Sequence, residues 1–155
     1  MKGLDELLAE HPLFVGLGGD VHTLLAGCGH NVHVAAEDYL FHTGGPADRL
    51  YLVRHGLVAL ELVGTGGSRL VVDTVTAGGV VGLSWLVPPY RWYLDARAVE
   101  PTDAIELDAD CLRRKCDADP RVGYLLLQRL VHQMYQRMQA SRLQMLDVYG
   151  AHSDR

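Results

Sequence analysis

Cysteine is scarce in this chain: three residues in 155, with no Cys-x-x-Cys pair. Such a set suggests neither a disulfide framework nor a compact zinc motif, so Cys28, Cys111 and Cys116 are expected to stay reduced. Basic residues are in deficit as well. Lysine and arginine total 14 against 19 aspartates and glutamates, and the net charge of −5 has the wrong sign for gripping a polyanion such as DNA. No apolar run approaches the ~20 residues of a membrane-spanning helix. In MKGLDELLAEHPLF, acids stand where a secretory signal carries basic residues. Catalytic signatures are missing too: there is no Gly-x-Ser-x-Gly, no Walker loop and no His-Glu-x-x-His. The expectation is a soluble, cytoplasmic protein that is not an enzyme and has no membrane or direct DNA attachment.

What is present suits one globular domain. With 48% of residues apolar and 21% charged, a core can form without covalent staples. Few clusters could carry chemistry. CGHNVH brings Cys28, His30 and His33 together, but no second Cys/His pair faces them, so they read as structural or surface residues and no metal is expected. Around LRRK, Cys111 and Cys116 are either thiols activated by Arg113, Arg114 and Lys115 or buried, inert ones. His132 is expected to face solvent.

Residues 1–30 read as a helical segment. GLDELLAE is a short amphipathic helix ended by His11-Pro12, and a second helix starts at Asp20, a good N-cap type, and stops at Gly27 and Gly29. From 31 to 110 the texture is β: short runs at Val32–Val34, Tyr39–His42, Arg49–Arg54, Leu57–Val63 and Arg69–Thr76. YLDARAVE follows, then DAIELD after Pro101, with glycine turns between many of the runs. A turn near His55-Gly56 is expected to fold two runs into a hairpin, and VGTGGS to make a second. No helix of crossover length fits between these runs. The expected fold class is therefore mainly β with flanking helices, an antiparallel barrel or jelly roll.

Residues 111–149 turn helical again. Pro120 suits the first turn of a long helix, and Tyr124, Leu127, Val131, Met134, Met138, Ser141, Met145 and Val148 recur every three or four residues as a heptad seam. Some 25 residues of helix reach about 40 Å, more than a small barrel needs to cover one side. Residues 121–149 are thus expected to pair with a second copy; the alternative lays the whole stripe on its own barrel. Residues 150–155 form a tail.

In that frame, DYLFHTGGPADRLYLVRHGLVALE resembles the cyclic nucleotide-binding domain family. The matching features are an extended strand, a Gly-x-x-Ala-Asp turn at Gly44 to Asp48, a strand tyrosine at Tyr51 and a glycine at Gly56. The resemblance runs from about His11 to Tyr149 and implies a double-stranded, cupin-like jelly roll. RLVHQMYQRMQAS resembles the dimer helix of bacterial regulators of the catabolite activator and fumarate–nitrate regulator type, which implies a homodimer. In those regulators a winged helix-turn-helix follows. This sequence ends in GAHSDR, so a sensor and a dimer seam are expected without a DNA reader.

In the family, the segment matching GLSWLVPPYRWYLDARA, Gly82 to Ala98, is the phosphate-binding cassette. It runs Gly-Glu, a short helix, a loop, then Arg-Ser/Thr-Ala. Free N–H groups and the arginine hold phosphate oxygens, and the glutamate accepts the ribose 2′-hydroxyl. Gly82, Ala96, Arg97 and Ala98 keep that frame, with one residue fewer between its ends. Inside it the chemistry differs. Leu83 replaces the glutamate, Trp92 the phosphate arginine and Tyr93 the small hydroxyl residue, while Arg91 comes one residue early. A shift of one reverses the face of a strand residue; the stiff Pro88-Pro89 loop is the feature that could return Arg91 to the pocket. Losing the ribose acceptor costs of order 1–3 kcal/mol, or roughly one to two decades of affinity.

Two functions fit. In the first, Gly82, Leu83, Ser84, Trp85, Arg91, Trp92 and Tyr93 bind a small anion, either cyclic AMP or GMP or an altered ligand. Arg91 then stacks on Trp85, Tyr90 or Trp92. The resemblance implies that Arg137, Ser141 or Arg142 reaches this ligand across the dimer, and that a partner protein reads the resulting population shift. In the second, Trp85, Trp92 and Leu83 plug the pocket, Arg91 pairs with Asp95 or points to water, and the dimer helix is the working surface of a ligand-free interaction module.

Overall fold

The computed structural model describes residues 2–153; the last two residues of the expected tail lie outside them. Helix α1 (Leu4–Glu10) buries Leu8 and packs Leu4 and Leu7 against the core, the i, i+3, i+4 face of an amphipathic turn. It ends at His11, whose ring is buried. Nδ1 accepts the Leu13 N–H at 3.2 Å while Nε2 lies 3.2 Å from the Val53 carbonyl. That pattern suits the neutral ring protonated on Nε2, and burial lowers its pKa accordingly. Helix α2 (Gly19–Ala26) is capped by Gly18 rather than the expected Asp20, which sits in the first turn, where its charge favours the helix N-terminus.

Six strands follow: β1 (Gly29–Val34), β2 (Tyr39–Phe41), β3 (Arg49–Val63), β4 (Arg69–Thr76), β5 (Val80–Val81) and β6 (Asp95–Asp108). They form one antiparallel sheet in the order β1-β6-β3-β4, with β2 also on β6 and β5 also on β3. The sheet is a jelly roll of the expected class, although it does not close into a complete barrel.

The hairpin expected at His55-Gly56 is absent. β3 runs unbroken through it because β6 pairs on both sides of it, from Arg49 opposite Asp108 to Glu61 opposite Asp95. β6 likewise continues through Pro101. The proline has no N–H to give, and the register shifts between Val53 and Val58, opposite this stretch. Gly56 takes φ 107° there. A Cβ on it would lie 2.7 Å from both the Pro101 carbonyl oxygen and the Thr102 Cα, so the residue marks a close approach of two strands rather than a turn.

β3 is buried on both faces, which explains its near-continuous apolar run. Leu50 and Leu52 face the helices with Ile105 and Leu107 of β6, while Tyr51, Val53, Val58 and Leu60 face the inside of the roll with Val75, Val81 and Ala104. Helix α3 (Ala109–Ala118) starts at Asp108, whose carboxylate accepts the Cys111 N–H at 2.7 Å. Against the expectation of three reduced thiols, Cys28 and Cys111 are joined in a disulfide across 83 residues of sequence. The fold sets them side by side: Asp108 N–H donates to the Cys28 carbonyl at 2.9 Å. Such bonds persist in oxidising surroundings and are uncommon in the cytoplasm expected for the chain.

Helix α4 (Pro120–Ser153) begins at the predicted proline. Val122, Leu126 and Leu130, at i, i+4 and i+8, seal the core. The seam does not lie on its own sheet. Tyr124, Leu127, Val131, Met134, Met138 and Met145 are all exposed, by 42–66%. Among the described residues no helix is long and apolar enough to cross a membrane.

Replacing Gly56 with alanine should lower unfolding stability by about 2–4 kcal/mol, from positive-φ strain plus the backbone clash. Urea denaturation measures it, and a change below about 0.5 kcal/mol would show that the strands do not approach as described.

Candidate functional site

β5 pairs with Tyr51 and Leu52 of β3 and so delivers Gly82 to the inner wall of the roll. Gly82 adopts φ 102°, and a 3₁₀ turn, Leu83–Leu86, follows it. Glycine is needed here for a second reason: an added Cβ would stand 3.0 Å from the Trp92 ring and 3.0 Å from the Arg49 carbonyl. After the Pro88-Pro89 peptide, which is cis, the chain pairs with the Gly44–Ala47 turn. Trp92 N–H donates to Gly45 at 2.9 Å, Gly44 N–H to Trp92 at 2.8 Å and Ala47 N–H to Tyr90 at 2.8 Å.

This pairing fixes which way each side chain points. Trp92 is buried and lies on the Phe41 ring, with centroids 3.8 Å apart and planes 10° from parallel. Arg91, one residue earlier, is exposed and donates to the Gly44 carbonyl at 3.3 Å. The proline loop has not returned it to the pocket. Arg91 also has neither of the partners expected of it. The rings of its own segment hold Arg113 of α3 instead, 4.7 Å from the Tyr90 centroid and 6.0 Å from that of Trp85, with Nη1 donating to the Trp85 carbonyl at 2.7 Å. In the sequence, Arg113 stands out only as a neighbour of Cys111 and Cys116. The aromatic cluster at 85–92 asked for a cation, but nothing local says that it comes from α3.

Trp85 is a core residue, 2% exposed, whose Nε1 has no hydrogen-bond partner among the described residues. The other cassette residues surround a hollow of about 140 Å³, lined by Gly82, Leu83, Ser84, Trp92, Tyr93 and Leu94 with Phe41, Leu60 and Arg137. Arg137 comes from α4 of the same chain. Ser141, one turn further along, is exposed and does not line the hollow. Leu83 leaves the wall without a carboxylate, and Arg137 is its one charged residue. The Arg137 Nε is 3.8 Å from Asp73 Oδ2, and its buried Nη2 has no hydrogen-bond partner among the described residues. Burial lowers the pKa of this guanidinium while Asp73 opposes the change.

A separate polar network borders the cassette. Asp95 is buried, accepts the Thr43 N–H at 2.6 Å and His42 Nδ1 at 3.2 Å, and pairs with Arg69. Burial alone would raise its pKa, but these donors bring it down to about 2. Glu61, also buried, meets Arg97 at 3.4 Å and the Tyr39 hydroxyl at 3.3 Å, while Arg97 forks onto both oxygens of Glu37 at 3.1 Å. Arg97 is thus occupied by the carboxylates of Glu61 on β3 and Glu37 in the turn before β2.

The remaining candidates are dispersed. His33 pairs with Asp103 at 2.7 Å and His30 with Glu106 at 3.8 Å, while Cys28 is held in the disulfide. The basic run does not activate a thiol: Cys111 is bonded, and burial, followed by Asp117, pushes the Cys116 thiol up.

The comparisons with known proteins fit this geometry. The family model described as the cyclic nucleotide-binding domain matches residues 31–119, more than half of the chain. The chain belongs to the cyclic nucleotide-binding domain family. Among solved structures, a cyclic nucleotide-binding domain from Methylobacillus flagellatus KT is 21% identical with a TM-score of 0.81, covering 95% of this chain and 86% of that one. The N-terminal domain of a transcriptional regulator from Streptomyces coelicolor A3(2) is 26% identical with a TM-score of 0.67, covering 86% and 94%. The catabolite activator protein of Thermus thermophilus is 24% identical with a TM-score of 0.68, covering 90% of this chain and 63% of its own. No curated protein matches the sequence. The family thus gives a fold typical of sensor and regulatory modules.

The Asp95 network yields a pH test. Its folded pKa of about 2 lies below that of an ordinary aspartate, so its stabilisation is present above about pH 4 and is lost as pH falls toward 2. Asp95→Asn should therefore be less stable than the wild type by roughly 2 kcal/mol at neutral pH, and the difference should shrink toward pH 2. Denaturation at several pH values measures it; a pH-independent difference would contradict this account.

Proposed function

We propose that this chain is a regulatory module of the cyclic nucleotide-binding fold that has given up cyclic AMP and GMP recognition and pairs with a second copy through α4. The observation that carries the first half is the Phe41–Trp92 stack, which fills the position where the family resemblance puts the phosphate arginine. Leu83 removes the ribose acceptor, Arg91 points away, and the remaining 140 Å³ falls below the ~300 Å³ at which ordinary ligand pockets begin. The geometry favours an aromatic plug at the nucleotide position, which leaves beneath α4 a hollow too small for a nucleotide.

The second half rests on α4. Leu127, Val131, Met134 and Met138 form an exposed apolar stripe, the kind of surface that a partner helix covers in a coiled coil. Arg137 lies within the same stretch and reaches the sheet interior. A change at the hollow therefore acts on the helix that carries the dimer seam, and a protein partner reading that helix would sense it. The acidic net charge argues against direct DNA contact by this module. A regulatory rather than catalytic role is part of the same reading.

Light scattering in solution should give twice the chain mass. Val131→Asp with Met138→Asp should reduce this to a single-chain mass while the circular dichroism of the sheet persists. Cyclic AMP or GMP at about 1 mM should move the melting temperature by less than about 1 °C. A monomeric wild type would remove the pairing claim, and a dose-dependent stabilisation by either nucleotide would remove the other half.

A further inference from the structure

The hollow beneath α4 keeps one feature that the loss of nucleotide recognition does not explain. Resting on the reading above, we propose that it binds a small monocarboxylate with a ring or branched alkyl group of about benzene size, held by Arg137.

Size sets the first limit. An apolar protein cavity of roughly 150 Å³ takes up benzene, and this one measures about 140 Å³. Wall chemistry sets the second. Leu60, Leu83, Leu94, Phe41 and Trp92 offer apolar surface, which favours a hydrocarbon body over a hydrated inorganic ion. Charge sets the third. Among the described residues, Arg137 is the only charged one in the lining and its buried Nη2 finds no acceptor, while Asp73 lies on its Nε side at the long distance of 3.8 Å.

A guanidinium with one buried N–H left unanswered calls for an oxygen acceptor, and a carboxylate answers it with a charge-assisted bond. Because Asp73 already offsets part of the one positive charge, a ligand of single charge is favoured over dicarboxylates and phosphates. Burial lowers the Arg137 pKa, and a bound anion would act against that shift as Asp73 does. The consequence for regulation follows from position. Arg137 lies between the exposed seam residues Met134 and Met138, so a carboxylate that draws the guanidinium inward ties the cassette to the dimer helix.

The test uses the full chain, with benzoate and 3-methylbutanoate as probes and benzamide and inorganic phosphate as controls. At about tenfold over its dissociation constant, a probe acid should raise the melting temperature by about 3 °C or more, while the amide and phosphate leave it unchanged. Titration calorimetry should show Arg137→Gln weakening the better acid about tenfold or more, with Arg137→Lys retaining part of the affinity. Should Arg137→Gln fail to fold, Leu94→Trp, which fills the hollow from the opposite wall, should abolish the response with the sheet intact. Equal binding of benzamide and benzoate would overturn the proposal, as would no response to either acid at about 10 mM. Dimer mass and cyclic AMP response are measured on the same samples. A dimer blind to both nucleotide and acids leaves the regulatory reading standing and sinks only this inference, whereas competitive binding of cyclic AMP sinks the reading beneath it.

Discussion

Trp92 lies flat on Phe41 where Gly82 has no side chain to meet its ring edge. A Cβ on Gly82 would come within 3.0 Å of the indole. Stacked aromatic pairs contribute about 0.5–1.5 kcal/mol beyond the area they bury, and here the stack also decides the chemistry of the cassette. Where the family resemblance places a guanidinium for a phosphate, this chain places an apolar ring. The turn Gly44–Ala47 holds that ring in register through three backbone hydrogen bonds, and the same register sends Arg91 outward.

From this constraint the rest of the site follows. With the ring in place, the space left between the cassette and α4 shrinks to a small hollow whose single charge comes from the helix. The helix has a double task. Val122, Leu126 and Leu130 close the core near its start, while the residues beyond present an apolar stripe outward and one arginine inward.

Much of the architecture was legible in the sequence because its signals are local or periodic. The strand Arg69–Thr76, the VGTGGS turn and the helix starting at Pro120 all match. The hairpin at His55-Gly56 failed for a physical reason. Gly56 serves a positive φ within a strand facing Pro101, and a glycine required by a close approach looks the same in sequence as a glycine required by a turn. The Cys28–Cys111 bond, 83 residues apart, has no spacing signature at all. Within the site, the substitutions Leu83, Trp92 and Tyr93 were readable by register, and so was the risk that Arg91 faces out. Arg113 as the cation of the aromatic cluster was not, since stacking partners from different elements meet only in the folded chain.

The central claim is that the Trp92 ring occupies the place of a phosphate-binding group, and the chain has only two tryptophans with which to test it. In Trp85→Phe, Trp92 is the sole indole, and its fluorescence with acrylamide quenching reports its surroundings directly. The account predicts blue-shifted emission, resistant to acrylamide and unchanged by cyclic AMP. Red-shifted emission open to acrylamide, or an indole that cyclic AMP displaces, would contradict it.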